Sequence, residues 1–459
     1  MTSPRPDRCC GEHTRAEMMR RGVAEAGRGL PTIERGMPAP AGTGLSRRSF
    51  LLRTGGLALS VYGAGLLGPK AFGEGIARAA GAADSKVLVS VFLDGGIDAL
   101  SLLSPVEDPT YRRLRPKLAM DPAAGPAWTE DPRLHWHPSA SPLHQLHQEG
   151  KVTVFPAIGY TDADQSHFTS RHYWEVGELS TKTNTGWLGR MLDIVGTPDN
   201  PLQGVSLDGT LSPSLATARV PVAATWGARY DLWAPGVWGD VEDLMFDAFG
   251  RIGAGAQRGK DKQMKEAGRV VGQSNTLRTQ LSSFGDEIQS PVAYPDDDHF
   301  SESLAGLAAM LAAGLPITVA SVDAPGRFDT HDEQREDLAE DLAATCDGLL
   351  AFQRDLEARG LADRVVTLVW SEFGRRPEEN DSAGTDHGAG GNAFLIGSPV
   401  RGQMVGEWPG LDTLDEDDNL RSTSDFRALY CGLIEQWFGV DAGQVIPNAA
   451  SFQRAALIG

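Results

Sequence analysis

Three features of this 459-residue sequence predict an α/β fold with a mostly parallel central sheet. Apolar runs of strand length, KVLVSVFL at 86–93 and RVVTLVW at 364–370, show no polar alternation, the pattern of strands buried on both faces. Helix-period stretches separate the runs, as in βαβ units. Acidic and histidine residues gather just after the runs, where parallel sheets place ligand sites.

The elements follow in order. Strand 86–93 ends in DGGIDAL, and SPLHQLHQEG reads as a helix before strand 151–159. Helical patterns cover 166–176 and 186–195, and short strands are expected at 203–207 and 219–224. Helices follow at 236–248, 258–284 and 301–313, then strand 316–323, a long amphipathic helix at 333–359 and strand 364–370. The glycine-rich stretch SEFGRRPEENDSAGTDHGAGG, 371–391, reads as a loop. Strand 392–397, a surface loop at 409–420 and a helix at 421–437 close the chain. There is no internal repeat, and residues 83–459 read as a single domain.

A net charge of −19 argues against nucleic acid and anionic membrane surfaces as partners. Cys9 and Cys10 lie in the first 45 residues, which are Pro-, Gly- and charge-rich without periodicity: a disordered extension, or residues before a true start near Met37. Cys346 and Cys431 fall in helical patterns and read as buried small apolar residues. Residues 46–82 carry Arg47 and Arg48 in SRRSFLL, then a mild Gly/Ala-rich apolar run, then ARA at 77–79. That order is a twin-arginine export signal. It predicts a periplasmic, secreted or cell-surface protein, with the translocase as a partner and no permanent span after processing. Gly63, Gly65 and Gly68 match G-x-G-x-x-G but follow no expected strand and lie in the leader, so they are not read as a nucleotide loop.

Four strand ends carry the polar residues: Asp94 and Asp98; Asp162, Asp164, Ser166, His167 and His172; Asp323, Asp329, His331 and Asp332; and Glu372, Asp386 and His387. Carboxylate with imidazole suits a divalent cation: zinc, manganese, calcium or magnesium, one or two ions. The plain alternatives are turn caps for Asp94 and Ser166, a core histidine for His172, and exposed helix or loop for His135, His137, His144 and His147. Trp226, Trp233 and Trp238 could stack on sugar rings, although loop anchoring is the simpler role. No G-x-S-x-G or H-E-x-x-H occurs, which removes two common hydrolase readings.

In this order behind a twin-arginine leader, VFLDGGIDAL, DQSHFTSRHYWE, FDTHDEQ and SEFGRRPEENDSAGTDHG resemble domain-of-unknown-function family 1501 over about residues 86–437. That family is similar to the alkaline phosphatase and sulfatase superfamily. The resemblance implies a three-layer sandwich with helices on both faces of the sheet and a metal site at its strand ends. It implies Asp94, Asp329, His331, Asp386 and His387 as metal-site residues and Ser166 as nucleophile; Glu372 joins the metal candidates and His167 the catalytic ones, and Arg171 or Arg375 could hold the non-bridging ester oxygens. Two features depart from the superfamily pattern: one residue separates Asp329 from His331, and no histidine follows His387. His167, His172 or Glu372 would then replace the last ligand, or the second ion is absent. The Cys/Ser-x-Pro-x-Arg sulfatase motif is missing. The implied function is an exported metal-dependent hydrolase of phosphate or sulfate esters, on a small-molecule or glycan substrate. The alternative is a non-catalytic binding or assembly protein on the same fold.

Overall fold

The computed structural model describes residues 61–62 and 85–459, apart from 198–199, 229–238 and a set of positions between 262 and 297. The 1–45 extension with Cys9 and Cys10, the twin-arginine pair Arg47 and Arg48, and Trp233 and Trp238 lie outside the described residues. Of the expected 46–82 leader, only Val61–Tyr62 is described, as a two-residue strand antiparallel to the sheet edge at Val222 and Ala223.

The predicted α/β sandwich is the observed one. The sheet contains β1 (Val87–Phe92), β2 (Val152–Gly159), β3 (Gly204–Ser206), β4 (Val222–Ala224), β5 (Val319–Asp323), β6 (Val365–Trp370), β9 (Gly391–Ile396) and β10 (Ser424–Asp425). Their order is β4-β3-β5-β1-β6-β9-β2-β10. All are parallel to one another except β9, which runs antiparallel to β6 and β2. The reason is covalent. A parallel neighbour needs a crossover, usually a helix. The chain leaving β6 makes none: it returns through a hairpin at the same end of the sheet.

The central strand β1 is buried at every residue. Its alternate side chains serve two cores. Val87, Val89 and Val91 pack with α1 (Ser141–Gln148), α5 (His299–Ala312) and α6 (Gln334–Ala358). Leu88 and Phe92 pack with α2 (His167–Val176), α3 (Trp187–Val195) and α7 (Phe426–Gly432). Each fully buried Val or Leu contributes about 1.5–3 kcal/mol, so β1 is a fixed reference for what stands beyond its end. Cys346 and Cys431 are buried in these two cores.

Two expectations are corrected. Residues 371–391 are not all loop: β7 (Arg375–Glu379) and β8 (Thr385–His387) form an antiparallel hairpin pairing Arg375 with His387. Its turn is closed by the Asn380 side chain, which accepts from the Ser382 and Gly384 amides at 3.0 and 3.1 Å. Strands this short carry no period for a sequence to display. The last helix also starts later than 421, because Ser424 and Asp425 first pair with β2 and Asp425 then caps α7 through the Arg427 amide. Among the described residues, no helix is long and apolar enough to cross a membrane.

Candidate functional site

The site begins with two glycines. After β1 the chain turns at Gly95 and Gly96, with φ of +123° and +87°. A Cβ on Gly95 would lie 2.2 Å from the Asp329 amide nitrogen, and one on Gly96 would lie 2.4 Å from the Phe373 ring. Only glycine permits both the conformation and the approach. The turn aims the Gly95 and Gly96 amides at the Glu372 carboxylate, at 3.1 and 3.2 Å. Ser371 Oγ accepts from the Gly96 and Ile97 amides at 3.1 Å each. Glu372 is fully buried and also receives His167 Nδ1 at 2.8 Å. Burial raises its pKa, but the hydrogen bond and charge of His167 outweigh this and hold it below the usual range.

Three imidazoles surround Asp329. His167 Nε2 is 3.5 Å from Asp329 Oδ2, and His331 Nε2 and His387 Nε2 are 3.1 and 3.2 Å from Oδ1. The two latter nitrogens lie 3.0 Å apart. Each ring has its other nitrogen against an acceptor: His167 Nδ1 on Glu372, His331 Nδ1 on Asp386 Oδ1 at 3.3 Å, and His387 Nδ1 on the Gln165 carbonyl at 2.8 Å. An acceptor at Nδ1 places the proton there and leaves Nε2 in its ligand form, the outer-shell arrangement of metal-binding histidines. Donor atoms of His167, Asp329 and His387 all fall within 4.8 Å of one another. Tetrahedral zinc with bonds of about 2.0–2.1 Å separates its ligands by about 3.3 Å; the observed spacings are of that order. Burial raises the Asp329 pKa, yet the hydrogen bonds of the three histidines and the Arg375 charge carry it far below the carboxylate range.

The remaining predicted residues divide by position. Arg375 is buried, and its guanidinium donates to Gly96 O, Thr385 O, Gly95 O, Phe328 O and Asp329. It ties three loops together and fixes Asp329, a placement unlike the substrate-holding role expected of it. Asp386 stands at the rim, with its side chain 59% exposed, and touches His331 and Asn380 rather than Asp329. Ser166 occupies the N-cap position of α2, but its side chain makes no cap hydrogen bond. His172 is buried with Nε2 on the Ser180 carbonyl at 3.0 Å. Asp98 forms a fully buried ion pair with Arg115 beneath the hairpin. His147 is bound by Trp128 and Glu130.

Beside the cluster lies a second group. Arg171, stacked 4.0 Å over Phe92, reaches Asp94 at 3.4 Å, Glu175 at 3.0 Å and Asp323 at 3.9 Å. The Asp323 amide donates to both Asp208 oxygens at 3.2 Å. Burial pushes Asp94 up to about 6, helped by Glu372 and Asp323 and opposed by Arg171 and His167. Burial likewise raises Asp208 and Asp323. Asp208 was not among the expected residues. The signal was present: VSLDG at 205–209 repeats the strand-Leu-Asp-Gly form of VFLDG at 91–95.

A search of curated proteins finds no match. Similar solved structures include the PsFucS1 sulfatase from Pseudoalteromonas sp., 11% identical over 84% of this chain and 77% of that one, with a TM-score of 0.37. They also include an alkaline phosphatase superfamily protein from Vibrio parahaemolyticus, 10% identical over 81% and 71%, TM-score 0.34. A third is the zinc complex of the C-terminal periplasmic domain of EcEptC from Escherichia coli, 10% identical over 82% and 92%, TM-score 0.34. The family model described as "Protein of unknown function (DUF1501)" matches residues 166–446, from the serine before His167 to the segment after α7. That is the family the strand-end motifs resemble, and this chain belongs to it.

Proposed function

We propose that this chain is an exported, metal-dependent hydrolase of phosphate or sulfate esters. The observation that carries the reading is the convergence of three imidazole Nε2 atoms on Asp329, each ring oriented through Nδ1. His167, Asp329, His331 and His387 would hold the cation. An imidazole-rich donor set favours zinc or manganese over the oxygen-seeking calcium and magnesium. A bound divalent cation supplies Lewis acidity to this end of the sheet.

The chain supplies the rest. Ser166 precedes His167 at the start of a ten-residue helix whose N-terminus favours an anion, and its hydroxyl is not tied to the helix amides. Arg375 is committed to the loops, which supports Arg171, held between Asp94, Glu175 and Asp323, as the cation that would meet ester oxygens. Asp94, with a pKa of about 6, can exchange a proton near neutrality. Export rests on the Arg47-Arg48 leader of the sequence.

The test is turnover of an aryl phosphate and an aryl sulfate by the exported protein with added zinc or manganese. Ser166→Ala should retain the cation and lower kcat by at least about a hundredfold. A merely structural Ser166, whose hydroxyl makes no cap hydrogen bond, would leave turnover intact at little cost in stability. Full cation loading without turnover of either ester contradicts hydrolysis and leaves the binding-protein alternative.

A further inference from the structure

We propose that two copies of this chain associate through α4, Asp240–Gln257, packed antiparallel on itself about a twofold axis. The inner face of α4 is filled by its own chain. Phe246 is buried, Arg278 lies 4.4 Å over its ring and pairs with Asp243, and a Cβ on Gly253 would meet the Gly268 carbonyl at 2.8 Å. Among the described residues, the outer face is apolar and open. Val241, Leu244 and Ile252 are 63%, 63% and 65% exposed. With Ala248 and Gly255 they form one stripe at spacings of three and four residues. A Cβ on Gly255 would meet nothing within 4 Å. An apolar stripe of this kind marks an interaction face.

The charges beside the stripe identify the occupant as a second α4. Asp240, Asp247, Arg251 and Arg258 are exposed and follow one another at helical spacings along a single flank, acidic in the first half and basic in the second. In an antiparallel twofold pair, a flank faces the same flank of the other copy, reversed. A twofold axis at the level of Phe249 sets Asp247 opposite Arg251 and Asp240 opposite Arg258 simultaneously. The same axis staggers the apolar stripe. Ile252 of the second copy falls between Leu244 and Ala248, and its Leu244 falls between Ile252 and Gly255. One placement thus satisfies both the charges and the interleaving that helix packing requires. The acidic first half and basic second half would not match a uniformly charged surface.

Sedimentation equilibrium of the purified exported chain tests this. The expected mass is that of two chains at about 10 µM, a concentration at which micromolar association is visible. Leu244→Glu and Ile252→Glu should each give one-chain mass, with circular dichroism and melting unchanged because both side chains are exposed. Asp247→Arg alone should weaken association at least about tenfold. Adding Arg251→Asp should restore it, since the exchange keeps every pair. A wild-type monomer at this concentration overturns the proposal. So does a dimer that survives both apolar substitutions, or a folded double exchange that stays monomeric.

Discussion

Asp94 is a residue whose charge the fold works against. Its ordinary pKa is 3.8; burial first, then Glu372 and Asp323, raise it to about 6 against the pull of Arg171 and His167. A carboxyl raised on folding binds its proton more tightly in the native state, so stability falls as pH rises from about 4 to about 6. A rise of this size is worth about 3 kcal/mol against the ionised form. Asparagine mimics the protonated side chain. In chelator-treated protein, Asp94→Asn should therefore melt a few degrees above wild type at pH 7.5 and equal to it below pH 4. A substitution that destabilises at both pH values would show instead that the carboxylate is needed for the fold.

At the scale of elements, the hairpin β7–β8 decides the site, because it brings His387 over the end of β1 and carries the Arg375 strut. The hairpin stands on a buried network. Arg115 holds Asp98 at 2.5 Å and donates to the Arg376 and Pro377 carbonyls, and Gln334 joins Asp98 to Thr385. Removing one partner of a buried ion pair costs about 3–5 kcal/mol, because the other charge stays behind. Arg115→Ala should lose that amount in denaturant unfolding and weaken cation binding with it. An unchanged midpoint would mean that the hairpin stands without this support. The sequence displayed the strands around the hairpin plainly, since long apolar runs have a pattern, and it displayed the strand-end residues, since Asp, His and Glu are rare beside such runs. It could not display the hairpin itself, whose strands are five and three residues long. Nor could it separate Asp386 from His387. Adjacent strand residues point to opposite faces, and which face met Asp329 depended on the register with Arg375. Nor were the partners of Arg375 legible: a guanidinium looks the same in sequence whether it awaits an oxyanion or binds carbonyls.

For the whole molecule, the proposed reading links export and chemistry, because a twin-arginine substrate would cross the membrane folded and could carry its cation with it. Arg47→Lys with Arg48→Lys should leave the chain in the cytoplasm; wild-type levels outside would remove the export reading. The central claim is that His167, Asp329, His331 and His387 form a cation site. Elemental analysis of the natively exported protein tests it most directly, with His387→Ala as the comparison. The account predicts at least one zinc or manganese per wild-type chain and a loss of more than about tenfold in affinity in the folded variant. A wild-type chain that takes up no divalent cation, or a His387→Ala chain that keeps its full complement, would contradict it.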